Sequence, residues 1–428
     1  MSEVGIGILG AGTVGGPVIK RLINDHDALE AKTGLSLTIH KIGVRDAAKQ
    51  RDVEIPEGLL TTDLNEVVSH PDVQLVVEVM GGTDPAGEMV LGALRAGKPV
   101  VTANKELVAS KGPELIAAAE QAGVPLLFEA AVGGGIPIIR PLSETLAGEP
   151  INRVLGIVNG TTNFILSRMA DAGQSYEEAL AEAQQMGFAE PDPSADVSGA
   201  DAASKACILA SLAFGTWIPV SSVYREGIER ITQVDIDFAE DLGYVVKLLA
   251  VGQRTEAGIS VRVHPAMVRI DHPLAAIRGA TNAIFIEGPS VGELLFAGPG
   301  AGGEPTATAV LGDVIDAARE ILAGAQVSPR VRLAPGDVLD FGEVATKWYI
   351  RLDVADEPGV LAQIASAFGT AEVSIKSVWQ EGQGDEATLL VVTHSAAEAK
   401  QRKAVESLEG FDVVRRVQSI IRVESDEV

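Results

Sequence analysis

The feature that most constrains this chain is a short apolar run that ends in glycines. Residues 4–9, VGIGIL, are followed at once by GAGTVGG and then by a helical pattern running to about Lys32. An apolar strand, a glycine turn and a helix in that order predict the first unit of a doubly wound parallel sheet. The pattern G-x-G-x-x-G fits in two registers, Gly5-Gly7-Gly10 and Gly10-Gly12-Gly15. Only the second follows a full strand and opens a helix. There Gly10 makes the turn, Gly12 lets the backbone approach phosphate, and Gly15 lets helix and strand pack. The free N–H groups of the helix N-terminus then hold the anion, so a dinucleotide is the expected ligand.

The rest of the first 130 residues repeats the alternation. Strand-like runs at 35–44, 73–79, 99–102 and 124–129 are separated by helical patterns at 63–69, 85–97 and 104–122. The strands are apolar throughout, as in a parallel sheet covered on both faces. Residues 1–130 are therefore expected to form a Rossmann-type dinucleotide-binding domain. Residues 131–324 change pattern to a mixed α+β domain. It has helices at 161–172 and 176–186, and strands at 151–158, 244–252, 258–264 and 282–297. A final helix at 305–323 is expected to pack back on the first domain. Residues 325–346, with Pro329, Pro335 and Gly336, read as a linker. Residues 347–428 read strand, helix, strand, strand, helix, strand, with GQGD at 382–385 turning the middle hairpin. That βαββαβ order is ferredoxin-like.

Composition narrows the class of partner. A chain of 428 residues is long enough for two or three domains. A formal net charge of −25 argues against nucleic acid and anionic membrane. No apolar run reaches the ~18 residues of a membrane span. Cys207 is the single cysteine, so neither a disulfide framework nor a cysteine metal site is expected. It sits in an apolar helix and reads as a packed small residue. The six histidines form no ligand spacing. A cytoplasmic enzyme fits these features.

The stretch 187–210, GFAEPDPSADVSGADAASKACILA, sets Glu190, Asp192, Asp196 and Asp201 just ahead of Lys205 in an otherwise apolar helix. Asp201 and Lys205, four apart, share a helix face. Ser198 reads as the N-cap, with Asp201 at the third helical position as in a capping box. A lysine in a buried helix is costly unless paired. The pair is either a structural ion pair or part of a site that gathers a small polar substrate.

Three further features remain open on the residues alone. The second strand ends at Val44 and is followed by Arg45, which suits a 2′-phosphate and leans the cofactor towards NADP, with NAD still open. A surface arginine at a strand end reads the same way. Thr102-Ala103-Asn104-Lys105 lies where a strand gives way to a helix, on the ligand edge of such sheets. Asn104 can equally cap the helix while Lys105 points to water. Residues 128–138, FEAAVGGGIPI, place Glu129 in a glycine loop whose carbonyls suit a monovalent cation, or which serves as a hinge.

Together these motifs identify the chain as one that resembles homoserine dehydrogenase over nearly its whole length. The residues that carry the resemblance are GAGTVG at 10–15, TANK at 102–105, EAAVGGGIP at 129–137, NGTTNFI at 159–165, GFAEPDPSADVSGADAASK at 187–205 and GPGAGGEPTAT at 298–308. The last unit, with DEPGVLAQIA at 356–365, resembles an ACT domain. The resemblance implies NAD(P)-dependent interconversion of L-aspartate 4-semialdehyde and L-homoserine, in threonine, methionine and isoleucine biosynthesis. It makes Lys205 the proton donor and Asp201 its orienting partner. Glu190, Asp201, Gly160, Thr161, Asp196 and Lys105 would meet the substrate. Gly10, Gly12, Thr13, Val14, Gly15, Arg45, Thr102, Lys105, Gly187 and Gly302 would meet the cofactor. Glu129, with the carbonyls of Val132, Gly134 and Ile136, would hold a sodium or other monovalent cation. A substrate-binding, catalytic and dimerisation role for residues 131–324, threonine feedback through the ACT unit and a homodimer or homotetramer are implied in the same way. The competing readings are a dehydrogenase of another amino-acid aldehyde and a catalytically silent amino-acid sensor.

Overall fold

A computed structural model of the chain describes residues 3–324, 332–334, 336–382, 387–408 and 410–424. The chain begins β1 (Glu3–Leu9), α1 (Gly15–Asn24), α2 (His26–Thr33), β2 (Ser36–Gly43), β3 (Leu60–Thr61), α3 (Leu64–Ser69) and β4 (Leu75–Glu78). It continues with α4 (Ala86–Arg95), β5 (Val100–Thr102), α5 (Lys105–Ala122) and β6 (Leu126–Leu127). The helix expected to run to Lys32 is two helices, because the chain turns at Asp25 before α2 begins.

These six strands form one parallel sheet in the order β3-β2-β1-β4-β5-β6. The order reverses at β1, whose neighbours β2 and β4 lie on opposite sides, and ligands bind such sheets at that switch point. All but the first residue of β1 is buried. On one face Val4, Ile6 and Ile8 share a core with Val18 and Ile19 of α1. On the other, Leu9 and Val76 pack with Val90, Leu94, Leu107 and Leu115 of α4 and α5. Gly5 and Gly7, the rejected register, are spacers inside β1. A Cβ on Gly5 would lie 1.8 Å from the Asp72 carbonyl, and one on Gly7 2.7 Å from Val67.

After β6 come β7 (Arg153–Ile157), α6 (Gly160–Ala172), α7 (Tyr176–Gln185), α8 (Ser194–Val197), α9 (Ala200–Phe214), β8 (Tyr224–Arg225), α10 (Gln233–Asp241), β9 (Tyr244–Thr255) and β10 (Gly258–Arg269). Next are β11 (Thr281–Gly288), β12 (Gly292–Pro299) and α11 (Gly303–Ala323). The single strand expected at 282–297 is thus a hairpin of β11 and β12, which neighbour one another. It bends at Pro289, Ser290 and Val291, whose polar turn was hidden by apolar flanks. The expected packing of α11 on the first sheet is found. Ala307, Val310, Val314 and Ala317 belong to the core of Val4, Ile6 and Val18.

The remaining elements are β13 (Ala345–Thr346), β14 (Trp348–Val354), α12 (Val360–Thr370), β15 (Ile375–Glu381), β16 (Thr388–Thr393), β17 (Ala396–Ala397), α13 (Glu398–Leu408) and β18 (Val414–Glu424). Apart from the short β13–β17 ladder, this is the expected βαββαβ unit, built on Ile350, Leu352, Ile364, Phe368, Leu389 and Leu408. The tip of the turn expected at GQGD, residues 383–385, lies outside the described residues, as do 325–331 and 335 of the expected linker.

The chain divides into two compact units. The first comprises Met1–Val154, Cys207–Val220 and Asn282–Gly336; the second comprises Leu155–Ala206, Ser221–Thr281 and Asp337–Val428. In the second, one sheet runs β7-β9-β10-β18-β14-β16-β15, with β8 beside β10. The C-terminal unit therefore continues the central sheet, because β18 pairs parallel with β10 at Ala266–Val268. Arg351 of β14 anchors the join. Its Nε donates to Asp235 Oδ1 at 2.8 Å and its Nη2 to Thr232 Oγ1 at 3.0 Å, at the start of α10. Asp235 is fully buried, and removing one partner of such a pair costs about 3–5 kcal/mol. Arg351→Ala is expected to lower stability by that order in urea denaturation. A loss below about 1 kcal/mol would show that this pair does not secure the join.

Candidate active site

The glycine loop after β1 has the geometry its sequence predicts. Gly10 has φ +108°, and a Cβ there would lie 2.8 Å from the Val79 carbonyl at the end of β4. Gly12 has nothing within 4 Å of a Cβ position, and a Cβ on Gly15 would lie 2.2 Å from the Gly10 carbonyl. Turn, open approach and close packing thus fall on the three glycines as expected. Val14 precedes α1 without a side-chain cap, so first-turn N–H groups of that helix are left for a ligand, apart from that of Gly16, which donates to the Gly12 carbonyl at 2.8 Å. A second helix start meets the same loop. Gly302, at φ +112°, precedes α11 without a side-chain cap, and a Cβ on Gly303 would lie 2.4 Å from the Thr13 carbonyl. Gly303 must be glycine for α11 to reach Thr13. Arg45 is exposed just beyond β2 and makes no ion pair among the described residues.

The strand ends beside this loop are tied together. Glu78, closing β4, is fully buried and accepts from Met80 N at 2.8 Å and from Thr102 Oγ1 at 2.6 Å. Burial pushes its carboxyl above the usual carboxylate range, against those hydrogen bonds. Thr102 Oγ1 in turn accepts from Asn104 N at 3.0 Å. Asn104 caps α5, accepting from Leu107 N at 3.0 Å, and donates to the Gly82 carbonyl at 2.6 Å. The capping reading of Asn104 therefore holds, and Lys105 is left half-buried as the first residue of α5.

In the second unit the acids and the lysine come together. Lys205 Nζ donates to Asp201 Oδ2 at 2.7 Å and to the Val158 carbonyl at 2.8 Å. Asn159 Nδ2 donates to the same Asp201 oxygen at 2.9 Å and to Asp196 Oδ1 at 2.7 Å. Asn159 Oδ1 caps α6 by accepting from Thr162 N at 2.9 Å. One amide thus fixes three elements: the start of α6, the end of α8 and the first turn of α9. Lys205 and Asp201 are each 8% exposed.

The capping box expected at Ser198 is not there. Ser198 closes α8, and Gly199, at φ +77°, turns the chain into α9. Pro193 opens the short helix ahead of it, and Asp201 is engaged by Asn159 and Lys205. Gly160 and Thr161 form the first turn of α6. Thr161 Oγ1 donates to the Phe188 carbonyl at 2.7 Å, and Gln184 Nε2 to the Glu190 carbonyl at 3.1 Å, which ties down the turn that begins at Gly187. Glu190 is exposed, and its carboxylate makes no hydrogen bond or ion pair among the described residues. Asp192 accepts from Ser194 N at 3.1 Å, and the Ser194 hydroxyl together with that N–H lowers its pKa. Cys207 is buried, its thiol pushed up to about 12 by burial, as expected of a packed residue.

The third motif, at 129–137, presents carbonyls. Glu129 spends its carboxylate on a helix start: Oε1 accepts from Ile138 N at 2.6 Å and Ile139 N at 2.8 Å, and Oε2 from Arg140 N at 2.8 Å. Glu129 opens a 3₁₀ turn through Ala131, and among the described residues no backbone N–H bonds to the carbonyls of Val132, Gly134 or Ile136. Asp313 of α11 accepts from Glu129 N at 2.8 Å and from Arg140 at 3.2 Å, with burial pushing it up to about 7.

Known proteins are similar to this chain over nearly its whole length. The family model for homoserine dehydrogenase matches residues 137–315, that for its NAD-binding domain residues 10–129, and that for the ACT domain residues 348–412. The homoserine dehydrogenase of Mycobacterium tuberculosis is 48% identical over 432 residues, covering 98% of each chain. That of Corynebacterium glutamicum is 47% identical, covering 99% of this chain and 96% of its own. The chain belongs to the homoserine dehydrogenase family. The crystal structure of a homoserine dehydrogenase from Thiobacillus denitrificans superposes with a TM-score of 0.94 at 40% identity, covering 99% of both chains. A hyperthermophilic archaeal homoserine dehydrogenase in complex with NADPH gives 0.62 at 30% identity, over 74% of this chain and 98% of its own. The chain is an NAD(P)-dependent oxidoreductase with a nicotinamide-cofactor domain. No described helix is long and apolar enough to cross a membrane.

Two residues of this homoserine dehydrogenase carry weight that sequence reading missed. Asn159 was visible only as a letter in NGTTNFI, although an asparagine before a helical run is a cap signal. Lys247 in β9 gave no signal, being one cation in an apolar strand. It is 1% exposed and donates to Asn163 Oδ1 at 3.0 Å and the Ile277 carbonyl at 2.5 Å. It thereby braces α6 one turn beyond Asn159. Burial, with Arg278 nearby, pulls its pKa down to about 7. The unfolded chain keeps that proton up to about pH 10.5 while the folded chain releases it above about 7, so this group makes stability rise with pH across that window. Its slope there approaches ~1.4 kcal/mol per pH unit. Urea midpoints measured from pH 7 to 10 are expected to lose that increment in Lys247→Met; an unchanged slope would refute it.

Proposed function

We propose that the chain interconverts L-aspartate 4-semialdehyde and L-homoserine, with Lys205 as the proton donor to the carbonyl oxygen. The carrying observation is the buried Lys205–Asp201–Asn159 cluster. An ammonium has three donors, and here two are committed, to Asp201 and to the Val158 carbonyl. The third remains for a substrate oxygen. When bound, the nicotinamide supplies hydride to the aldehyde carbon. Charge then builds on the oxygen, where the ammonium of Lys205 stabilises it and transfers the proton. Asp201, fixed by Asn159, keeps the ammonium in place. In the reverse direction neutral Lys205 takes the hydroxyl proton.

The uncommitted carboxylate of Glu190 suits the substrate ammonium, with Asp196, Gly160 and Thr161 shaping the same pocket. Because Thr161 Oγ1 already holds the Phe188 carbonyl, its contribution is to position the Gly187–Glu190 turn. On the nucleotide side Gly10, Gly12, Thr13, Val14, Gly15 and Gly302 line the pyrophosphate cradle. Arg45 favours the 2′-phosphate of NADP. Thr102, whose hydroxyl is taken by Glu78, and Gly187 meet the cofactor through backbone. Lys105 serves cofactor and substrate. The carbonyls of Val132, Gly134 and Ile136, with that of Glu129, fit a sodium ion, a hard cation that takes oxygen ligands; Glu129 contributes its carbonyl, since its carboxylate caps the next helix. A homodimer or homotetramer working in the cytoplasm accords with the single buried cysteine. The assignment of residues 1–130, 131–324 and 347–428 to cofactor, substrate and regulation follows the same lines.

Lys205→Ala is expected to cut turnover about 10²–10⁴-fold with aspartate semialdehyde while NADPH still binds. Retained turnover would make Lys205 structural and point to another proton donor, whereas a wild-type chain without turnover would be the catalytically silent sensor. Neighbouring amino-acid aldehydes assayed beside the semialdehyde decide the substrate.

We further infer threonine feedback through the C-terminal unit. Gly359, at φ +97°, opens α12 without a side-chain cap, leaving N–H groups for an amino-acid carboxylate. Since β18 belongs to the central sheet, a point change tests this better than truncation. L-Threonine is expected to inhibit the wild-type chain and to inhibit Gly359→Ala at higher concentration only. Indifference of the wild type to threonine would refute the inference.

A further inference from the structure

Glu78 is fully buried where β4 ends, and it takes part in none of the chemistry described above. Its two carboxylate oxygens serve two different segments. Oε1 accepts from Met80 N at 2.8 Å, in the loop that follows β4, and Oε2 accepts from the Thr102 hydroxyl of β5 at 2.6 Å. The Glu78 carbonyl also accepts from Ala103 N at 3.2 Å. Thr102 Oγ1 carries the link on to Asn104 N, and Asn104 Nδ2 returns it to the Gly82 carbonyl at 2.6 Å. These bonds close a ring through the Val79–Gly82 loop, Glu78, Thr102 and the cap of α5. One carboxylate therefore sets that loop and the start of α5 relative to each other.

The loop lies on the coenzyme edge of the sheet. Val79 N donates to the Leu9 carbonyl at 2.9 Å, and the Val79 carbonyl is the atom that a Cβ on Gly10 would approach to 2.8 Å. The loop is thus the wall on which the glycine turn closes, beside the switch point where a dinucleotide lies. Gly81 and Gly82 follow at φ +79° and +71°, exposed and with nothing within 4 Å of a Cβ position. A loop of this kind presents bare backbone, without side chains, to a ligand.

A buried carboxylate is an expensive way to tie two strands. Burial pushes Glu78 above the usual carboxylate range, although the Thr102 hydroxyl and the N–H groups of Met80 and Gly81 act against it. The folded chain thus disfavours the charge it encloses, and a neutral side chain of the same shape would join the strands without loss. Buried groups perturbed in this way gather at functional sites.

We propose that Glu78 is a positioning residue for the coenzyme, holding the Val79–Gly82 loop and the α5 start at Lys105 so that both meet the nicotinamide dinucleotide as one surface. The inference rests on the coenzyme reading of the glycine loop and is independent of the substrate. Fluorescence titration of the intact chain with NADPH and with NADH, in the absence of substrate, tests it. Glu78→Gln keeps the shape but replaces one acceptor oxygen by a donor. It is expected to weaken binding of the preferred coenzyme about tenfold or more. The melting temperature is not expected to fall, since the buried charge is removed with the oxygen. Thr102→Val, which keeps the carboxylate and deletes its hydroxyl partner, is expected to weaken the same binding and covers the case in which Glu78→Gln does not fold. In turnover, KM for the coenzyme is expected to rise in step while kcat at saturation stays within about threefold of wild type. Affinity within about twofold of wild type in either folded variant would overturn the proposal and make Glu78 architectural. Unchanged affinity with a lowered kcat would overturn it too, by placing Glu78 in the chemistry. A wild-type chain that binds neither coenzyme would sink the coenzyme reading and this inference with it.

Discussion

Everything at the acid–lysine centre depends on keeping one ammonium charged in an apolar helix. Isolated burial of that charge would cost several kcal/mol, and a single carboxylate partner repays it only with good geometry and further hydrogen bonds. Here the ammonium meets the Asp201 carboxylate at 2.7 Å and the Val158 carbonyl at 2.8 Å. Asn159 then adds a second donor to the same Asp201 oxygen with one N–H and spends the other on Asp196. The amide is held in turn by its capping bond to Thr162. A helix cap and an ion pair, each worth little alone, become one network whose members orient one another.

That network explains why the surrounding backbone is built from short pieces. α8 has four residues and ends at a left-handed glycine, so Asp196 and Asp201 arrive from two different helices. A single continuous helix would put positions 196 and 201 about 140° apart around its axis, where one amide would not span them. The same reasoning applies to α6, whose buried Asn163 is gripped by Lys247 and also donates to the carbonyls of Gly279 and Thr281. The helix that bears the cap is thereby fixed along its length.

How much of this was legible depends on how local each cause is. The glycine loop, the cap at Asn104 and the βαββαβ order rest on neighbours within a few residues, and a sequence displays those directly. Asp201 and Lys205 were legible as a pair because four residues separate them on one face. Ser198 misled because its capping pattern is genuine in form, but Gly199 and Pro193 settle the local path first. Asn159 and Asp196 are 37 residues apart, and Arg351 and Asp235 are 116 apart. No periodicity links such partners, so only the folded chain reveals them. The register of β18 on β10 is hidden for the same reason, since either edge of a ferredoxin-like sheet is apolar enough to accept a strand.

The pairing of β18 with β10 changes what the C-terminal unit can do. A module joined only by a linker can bind a ligand without consequence elsewhere, because its motions are independent. A module whose last strand is a rung of the central sheet shares that sheet's twist and register. Arg351 fixes it to α10, Arg422 to the Tyr224–Glu226 segment, and Arg262 of β10 to Glu424 at 3.0 Å. Three arginines on or beside one seam make the join polar and geometrically demanding, where an apolar seam would tolerate sliding. The segment from Tyr224 to Ile231, which Arg422 of β18 holds at Tyr224, is short of regular structure and is bonded through Ile228 to the turn before Asp201.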